Sequence, residues 1–154
     1  MSVAADAVGD SASCVFCEIV SGRQAASIVF SDPLVVALMD LRQFHPGHVL
    51  VVPRTHVNDI RAADVATAHA VIDAVVRITR AVNSVFPNDG ISVWHSIGPG
   101  ANQEVPHLHF HVHPRHLGDE MFRAYPSPPS HPSRDTLDQW AQQLKATLTP
   151  NKSQ

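Results

Sequence analysis

The run His107-Leu108-His109-Phe110-His111-Val112-His113 alternates titratable rings with large apolar side chains and has no break. One regular structure sorts such a run. In a β-strand successive side chains point to opposite faces, so Leu108, Phe110 and Val112 share one face and four imidazoles share the other. A helix would scatter both sets around its circumference. The run therefore predicts a strand over residues 107–113, closed by Pro114, with its apolar face on a core. The histidines should follow one another at about 6–7 Å on the other face. Imidazole is largely neutral near pH 7, where it serves as base, nucleophile or metal ligand. A solvated strand face needs no such set of four.

Two chemistries compete for that face. A hydrolytic metal centre uses His-x-His pairs, but it ordinarily adds a carboxylate ligand and keeps an open coordination position. No Asp or Glu interrupts this run. Phosphorus chemistry would use one ring to attack, while its neighbours bond the phosphoryl oxygens and set its tautomer.

Around this strand the chain reads as an α+β domain. Residues 27–30 and 34–40 are β-branched runs split by Ser31-Asp32-Pro33, a hairpin pattern. Pro46-Gly47 makes a turn, and residues 48–53 form a buried strand. Residues 64–86 form the long helix, with Ala68, Ile72, Val75, Ile78, Val82 and Val85 as the stripe facing the sheet. Residues 91–97 form a further strand, and Gly98 to Asn102 a loop whose small residues let backbone N–H groups approach a ligand. Residues 14–22 make about one turn of helix. Ser133 caps a last helix to about Leu148, with Leu137, Trp140, Leu144 and Leu148 on one face. The expected fold is an antiparallel sheet of about five strands, with the long helix and the C-terminal helix packed on it. Residues 1–13 read as a disordered tail and 14–115 as the body of the domain. Residues 116–154, proline-rich from Tyr125 to Pro132 and then helical, complete that same domain.

Composition narrows the function. The net charge is −3, which argues against a broad nucleic-acid or membrane surface held by basic charge. The 11 histidines equal all lysines and arginines together. No apolar run approaches the ~20 residues of a membrane span. Cys14 and Cys17 are the two cysteines, spaced C-x-x-C, which suits half a metal site or a redox pair in a reducing compartment. The amino-terminal residues lack the pattern of a signal peptide, so the expected address is the cytoplasm.

The chain resembles the histidine triad (HIT) family. H-L-H-F-H-V-H matches its triad signature, and Gln103-Glu104-Val105-Pro106 looks like the family's lead-in. Cys-Val-Phe-Cys, the strand ending at Asp40 and H-P-G-H-V-L-V-V-P-R-T-H follow the family's order and spacing over residues 14–115. The resemblance implies a nucleotide hydrolase or nucleotidyl transferase acting on the α-phosphate of an AMP-like nucleotide, cleaving a phosphoramidate or phosphoanhydride. It makes His109 the nucleophile, His111 the donor to a phosphoryl oxygen and His48 the support of the triad. Asp40 matches the ribose-binding carboxylate, and Val15, Phe16, Met39 and Leu41 match the apolar slot for a base. Gln103, with the backbone of Glu104 and Val105, matches the phosphate and leaving-group contacts. Some bacterial members complete a structural zinc site with residues matching His56 and His107, beside Cys14 and Cys17. The chemical step itself would need no metal. Relatives of this size pair as homodimers across the long helix and a sheet edge.

The chain departs from the family twice. Ser96 stands where many relatives carry Asn or Gln reaching the phosphate, and His113 stands where an aliphatic residue is usual. His45 and His95 add imidazoles without an assigned role. A nucleotide-binding module with little turnover and a strand-based metallohydrolase are the alternatives.

Overall fold

A computed structural model describes residues 14–121 and 130–148. The expected tail and most of the proline-rich stretch lie outside the described residues. The chain divides into two compact units, Met1–Asp119 and Glu120–Gln154.

The first unit contains α1 (Val15–Val20), β1 (Ile28–Ser31), β2 (Val35–Met39), β3 (Val49–Pro53), α2 (Val65–Val85), β4 (Gly90–Trp94) and β5 (Phe110–Arg115). The five strands form one antiparallel sheet in the order β1-β2-β3-β5-β4. β2 and β3 read as nearly continuous apolar runs because both of their faces are covered. Val35, Ala37, Val49 and Val51 meet Val71, Ala74, Val75, Ile78 and Val82 of α2, together with Leu108 and Val112. The alternate residues Val36, Leu38, Leu50 and Val52 meet Cys14 and Phe16 at the other face. Each such Val, Leu or Ile contributes about 1.5–3 kcal/mol on burial.

Asp64 starts α2 by accepting a hydrogen bond from the Thr67 amide at 2.7 Å. The phase of its buried stripe differs from the expected one. The buried face is Thr67, Val71, Ala74, Val75, Ile78 and Val82, whereas Ile72 is 44% and Val85 67% exposed. Valines and isoleucines occur on two sides of this helix, and series at steps of three and four starting from Thr67 or from Ala68 converge on the same residues. Packing against the sheet selects between them.

Two strands also differ in extent. β4 ends at Trp94 and β5 begins only at Phe110. The His109 carbonyl, which would have extended the ladder, instead accepts from His95 Nδ1 at 2.9 Å. The Leu108 amide donates to the Val57 carbonyl at 2.7 Å. Residues 107–109 are thus peeled from the sheet but keep the alternation. Leu108 is buried in the α2 core, while His107 and His109 face away from it. At its far end β5 runs through Pro114 to Arg115, pairing with Gly90.

The turn before β3 requires its glycine. Gly47 has φ +107°, and a Cβ there would lie 2.6 Å from Phe86 Cδ2. In the second unit α3 spans Arg134–Leu148, and the Thr136 amide bonds Ser133 Oγ at 3.2 Å.

Candidate functional site

A cavity of about 300 Å³ opens between α1, the end of β2 and the histidine segment. Its apolar wall includes Val15, Phe16, Leu38, Met39 and Val105, and its polar wall includes Asp40, Glu104, His109 and His111. Most of the expected nucleotide contacts therefore converge on one space. Leu41 also lines it, but from the rim, 99% exposed.

His109 is 6% exposed, against Phe16 at 5.2 Å between ring centroids. Its Nδ1 lies 2.7 Å from the His107 carbonyl. A carbonyl only accepts, so Nδ1 carries the proton and Nε2 keeps its lone pair. Burial pushes its pKa below the ordinary imidazole range, which keeps that lone pair free at neutral pH.

The same logic fixes its neighbours. His48 Nδ1 donates to the Arg42 carbonyl at 3.0 Å, so neutral His48 accepts at Nε2. His48 Nε2 lies 2.9 Å from His111 Nδ1, which must then be the donor. The resting His111 therefore keeps a lone pair on Nε2. One proton added to the His48–His111 pair turns that nitrogen into a donor. Burial, with help from neighbouring imidazoles, pushes His111 down to about 3. Asp40 Oδ2 lies 3.5 Å from His48 Nδ1, and Asp40 Oδ1 accepts the Arg42 amide at 2.8 Å.

Asp40, His48 and His111 also offer atoms within 4.8 Å of one another, a spacing a metal ion could use. The two imidazoles sit at hydrogen-bond distance, tighter than the roughly 3.3 Å between ligands of one tetrahedral zinc. Their nitrogens are committed to each other.

Behind the cavity Cys14, Cys17, His56 and His107 bring four ligand atoms within 4.8 Å of one another. Cys14 Sγ is 3.4 Å and Cys17 Sγ 3.6 Å from His107 Nδ1, and Cys17 Sγ is 3.2 Å from His56 Nδ1. Tetrahedral zinc with ordinary bond lengths separates S and N ligands by about 3.5 Å. His107 Nε2 donates to the Pro53 carbonyl at 2.9 Å, so its Nδ1 lone pair faces the thiols. Burial and the adjacent Cys14 push the Cys17 thiol up to about 11, a cost that a dication would reverse. The donor set fits structural zinc.

Two expected residues stand elsewhere. Gln103 spends its amide on the loop, accepting from the Gly98 amide at 2.7 Å and donating to the Asn58 carbonyl at 2.6 Å. Ser96 lies beyond the end of β4 and is not among the cavity's lining residues. Two neighbours of the site were not expected. Trp94 stacks on His111 at 4.3 Å with an interplanar angle of 3°. Arg42 lines the cavity and forms a two-pronged ion pair with Glu104. His95 and His113 gain positions as well: His95 holds the His109 carbonyl, and His113 is fully buried 4.6 Å from the His48 ring.

Fold and site together define a cleft with one apolar wall and a buried, tautomer-locked imidazole at its polar wall. The family model for the HIT domain matches residues 21–118, and the chain belongs to the HIT family. It is 42% identical over 101 residues to an uncharacterised HIT-like protein of Saccharolobus solfataricus, covering 66% of this chain and 73% of that one. A HIT family protein from Bacillus anthracis superposes with a TM-score of 0.81 at 29% identity, over 89% of this chain and 98% of that one. A zinc-bound histidine triad family protein from Mycobacterium smegmatis gives 0.66 at 34% identity, over 89% and 99%. Among more distant relatives is an adenosine 5′-monophosphoramidase of Schizosaccharomyces pombe, 28% identical over 67% of this chain and 74% of that one.

Proposed function

We propose that this chain cleaves a phosphoramidate or phosphoanhydride at the α-phosphate of a purine nucleotide, through a nucleotidyl intermediate on His109. The observation that carries this is the His109 Nδ1 to His107 carbonyl bond at 2.7 Å, which leaves an unprotonated Nε2 on a buried ring that lines the cleft. The phosphoramidase activity named for the fission-yeast relative agrees with it.

The base would lie against Val15, Phe16 and Met39, where stacking asks for no particular base edge. Asp40 would accept from the ribose hydroxyls. His109 Nε2 attacks the α-phosphorus, the bond to the leaving group breaks, and the leaving group takes a proton from His111 Nε2. That proton is one the His48–His111 pair takes up when the anionic substrate binds beside it, since at rest His111 Nε2 carries none. Water then attacks the phosphorus, its proton returns to the pair, and the monophosphate leaves with His109 regenerated. Gln103 acts by holding the Gly98 loop, and Trp94 by fixing the plane of His111.

Cys14, Cys17, His56 and His107 would hold zinc, which would tie α1, and with it the base slot, to the segment carrying the nucleophile. It would have no part in the bond-breaking step. Unlinked thiols suit a reducing compartment, and we place the chain in the cytoplasm. A homodimer would cover the exposed Ile72 and Val76 of α2 and the open edge of β4.

Rapid acid quench with an adenylyl phosphoramidate, followed by peptide mass spectrometry, tests the intermediate. The acid-labile adduct should map to His109. His109→Gly should lose turnover by about 10⁴-fold or more, and His111→Ala by about 10²–10³. Turnover surviving in His109→Gly, or an adduct on another residue, would rule the mechanism out.

A further inference from the structure

The ion pair at the cavity mouth has two unlike ends. Arg42 is pinned through its main chain to the catalytic network: its amide donates to Asp40 Oδ1 at 2.8 Å, and its carbonyl accepts from His48 Nδ1 at 3.0 Å. Its side chain is 72% exposed and reaches a residue 62 positions away in sequence. There Nη1 donates to Glu104 Oε1 at 3.0 Å and Nη2 to Oε2 at 2.8 Å. Both residues line the cavity.

We propose that Arg42 reads the leaving group, and that the preferred substrates carry an oxyanion, such as a further phosphate, beyond the α-phosphate. Glu104 occupies the guanidinium until that oxyanion replaces it. This rests on His109 as the nucleophile.

Three observations support it. The first is direction. His109 is 6% exposed, whereas the Arg42 and Glu104 side chains are 72% and 64% exposed. In-line displacement puts the leaving group on the side opposite the attacking nitrogen, and a group leaving so buried a ring departs through the exposed part of the cavity, which Arg42 and Glu104 line. The second is shape. Glu104 engages Arg42 through two parallel bonds, the geometry two oxygens of a phosphate or sulfate reproduce. An exposed ion pair adds little stability, so the exchange is easy.

The third is asymmetry. Arg42 has another acidic neighbour within the cavity, Asp40 Oδ1, 4.0 Å from Nε. Released from Glu104, the guanidinium stays at the site. Arg42 is also the one permanent cation among the residues lining the cavity. A cationic leaving group would displace Arg42 and then face it at the same opening.

The test separates binding from turnover. AMP and ADP are titrated calorimetrically into the wild-type chain, Arg42→Ala and Arg42→Lys. The wild type should favour ADP by about tenfold or more, the usual scale of a two-pronged charge-assisted contact. Arg42→Ala should lose that preference, and Arg42→Lys, which keeps charge but not the fork, should retain part of it. With substrates, Arg42→Ala should lower kcat/KM on diadenosine triphosphate by a factor at least several times larger than on adenosine 5′-phosphoramidate. An ADP-to-AMP affinity ratio unchanged by Arg42→Ala, or equal losses on both substrates, would overturn the proposal. A wild type that turns over neither substrate would overturn the His109 reading instead, while the binding ratio would still decide the role of Arg42.

Discussion

Replacing His113 by leucine should make the protein relatively more stable as the solution is acidified. His113 is fully buried, packed against His48 and His45, with Nδ1 bonded to the Pro114 carbonyl. Its Nε2 has no partner among the described residues. Burial lowers its pKa, helped by His48, His45 and Arg115. The sign follows from proton counts. Above pH 6.5 the side chain is neutral folded or unfolded, and pH has no leverage through it. Below that, the unfolded chain binds a proton that the native ring resists, and stability is lost until the lowered native pKa is reached. Leucine binds no proton in either state.

Near pH 7.5 the two proteins should differ by about 1 kcal/mol or less, because relief of an unsatisfied nitrogen offsets the lost Pro114 bond. At pH 5 the variant should gain up to about 2 kcal/mol relative to the wild type, the linkage of 1.5 pH units below an unfolded pKa of 6.5. Urea unfolding at both pH values, with a common m-value, measures the difference. A stability difference that stays the same at both pH values would show that His113 is not held neutral by the fold.

Purified protein should carry about one zinc per chain, read by plasma emission, and Cys17→Ala should lose both the metal and thermal stability. Metal-free protein of full stability would refute that site. Gly47→Ala should cost about 2–4 kcal/mol in chemical denaturation, because a left-handed φ and the Phe86 ring both oppose a Cβ; a neutral effect would mean that the turn reshapes freely. Light scattering at micromolar concentration should give about twice the 16.7 kDa of one chain if the exposed α2 face and the β4 edge are paired, and a clean monomer would dismiss the dimer.

Features that depend on neighbours along the chain were legible without coordinates. Period-two alternation separated Leu108 and Val112 from His109 and His111, since successive side chains in extended backbone take opposite faces wherever the segment lies. Gly47 as a turn residue and the C-x-x-C pair are equally local. Other features needed the tertiary structure. The phase of α2 was ambiguous because valines and isoleucines occupy two sides of it, and the sheet decided which side is buried. Trp94 meets His111 through strand register, and Arg42 meets Glu104 across 62 residues. The Gln103 amide turned to the Gly98 loop because backbone groups there needed partners. Local backbone geometry fixes which residues share a face; only packing and register decide what that face meets.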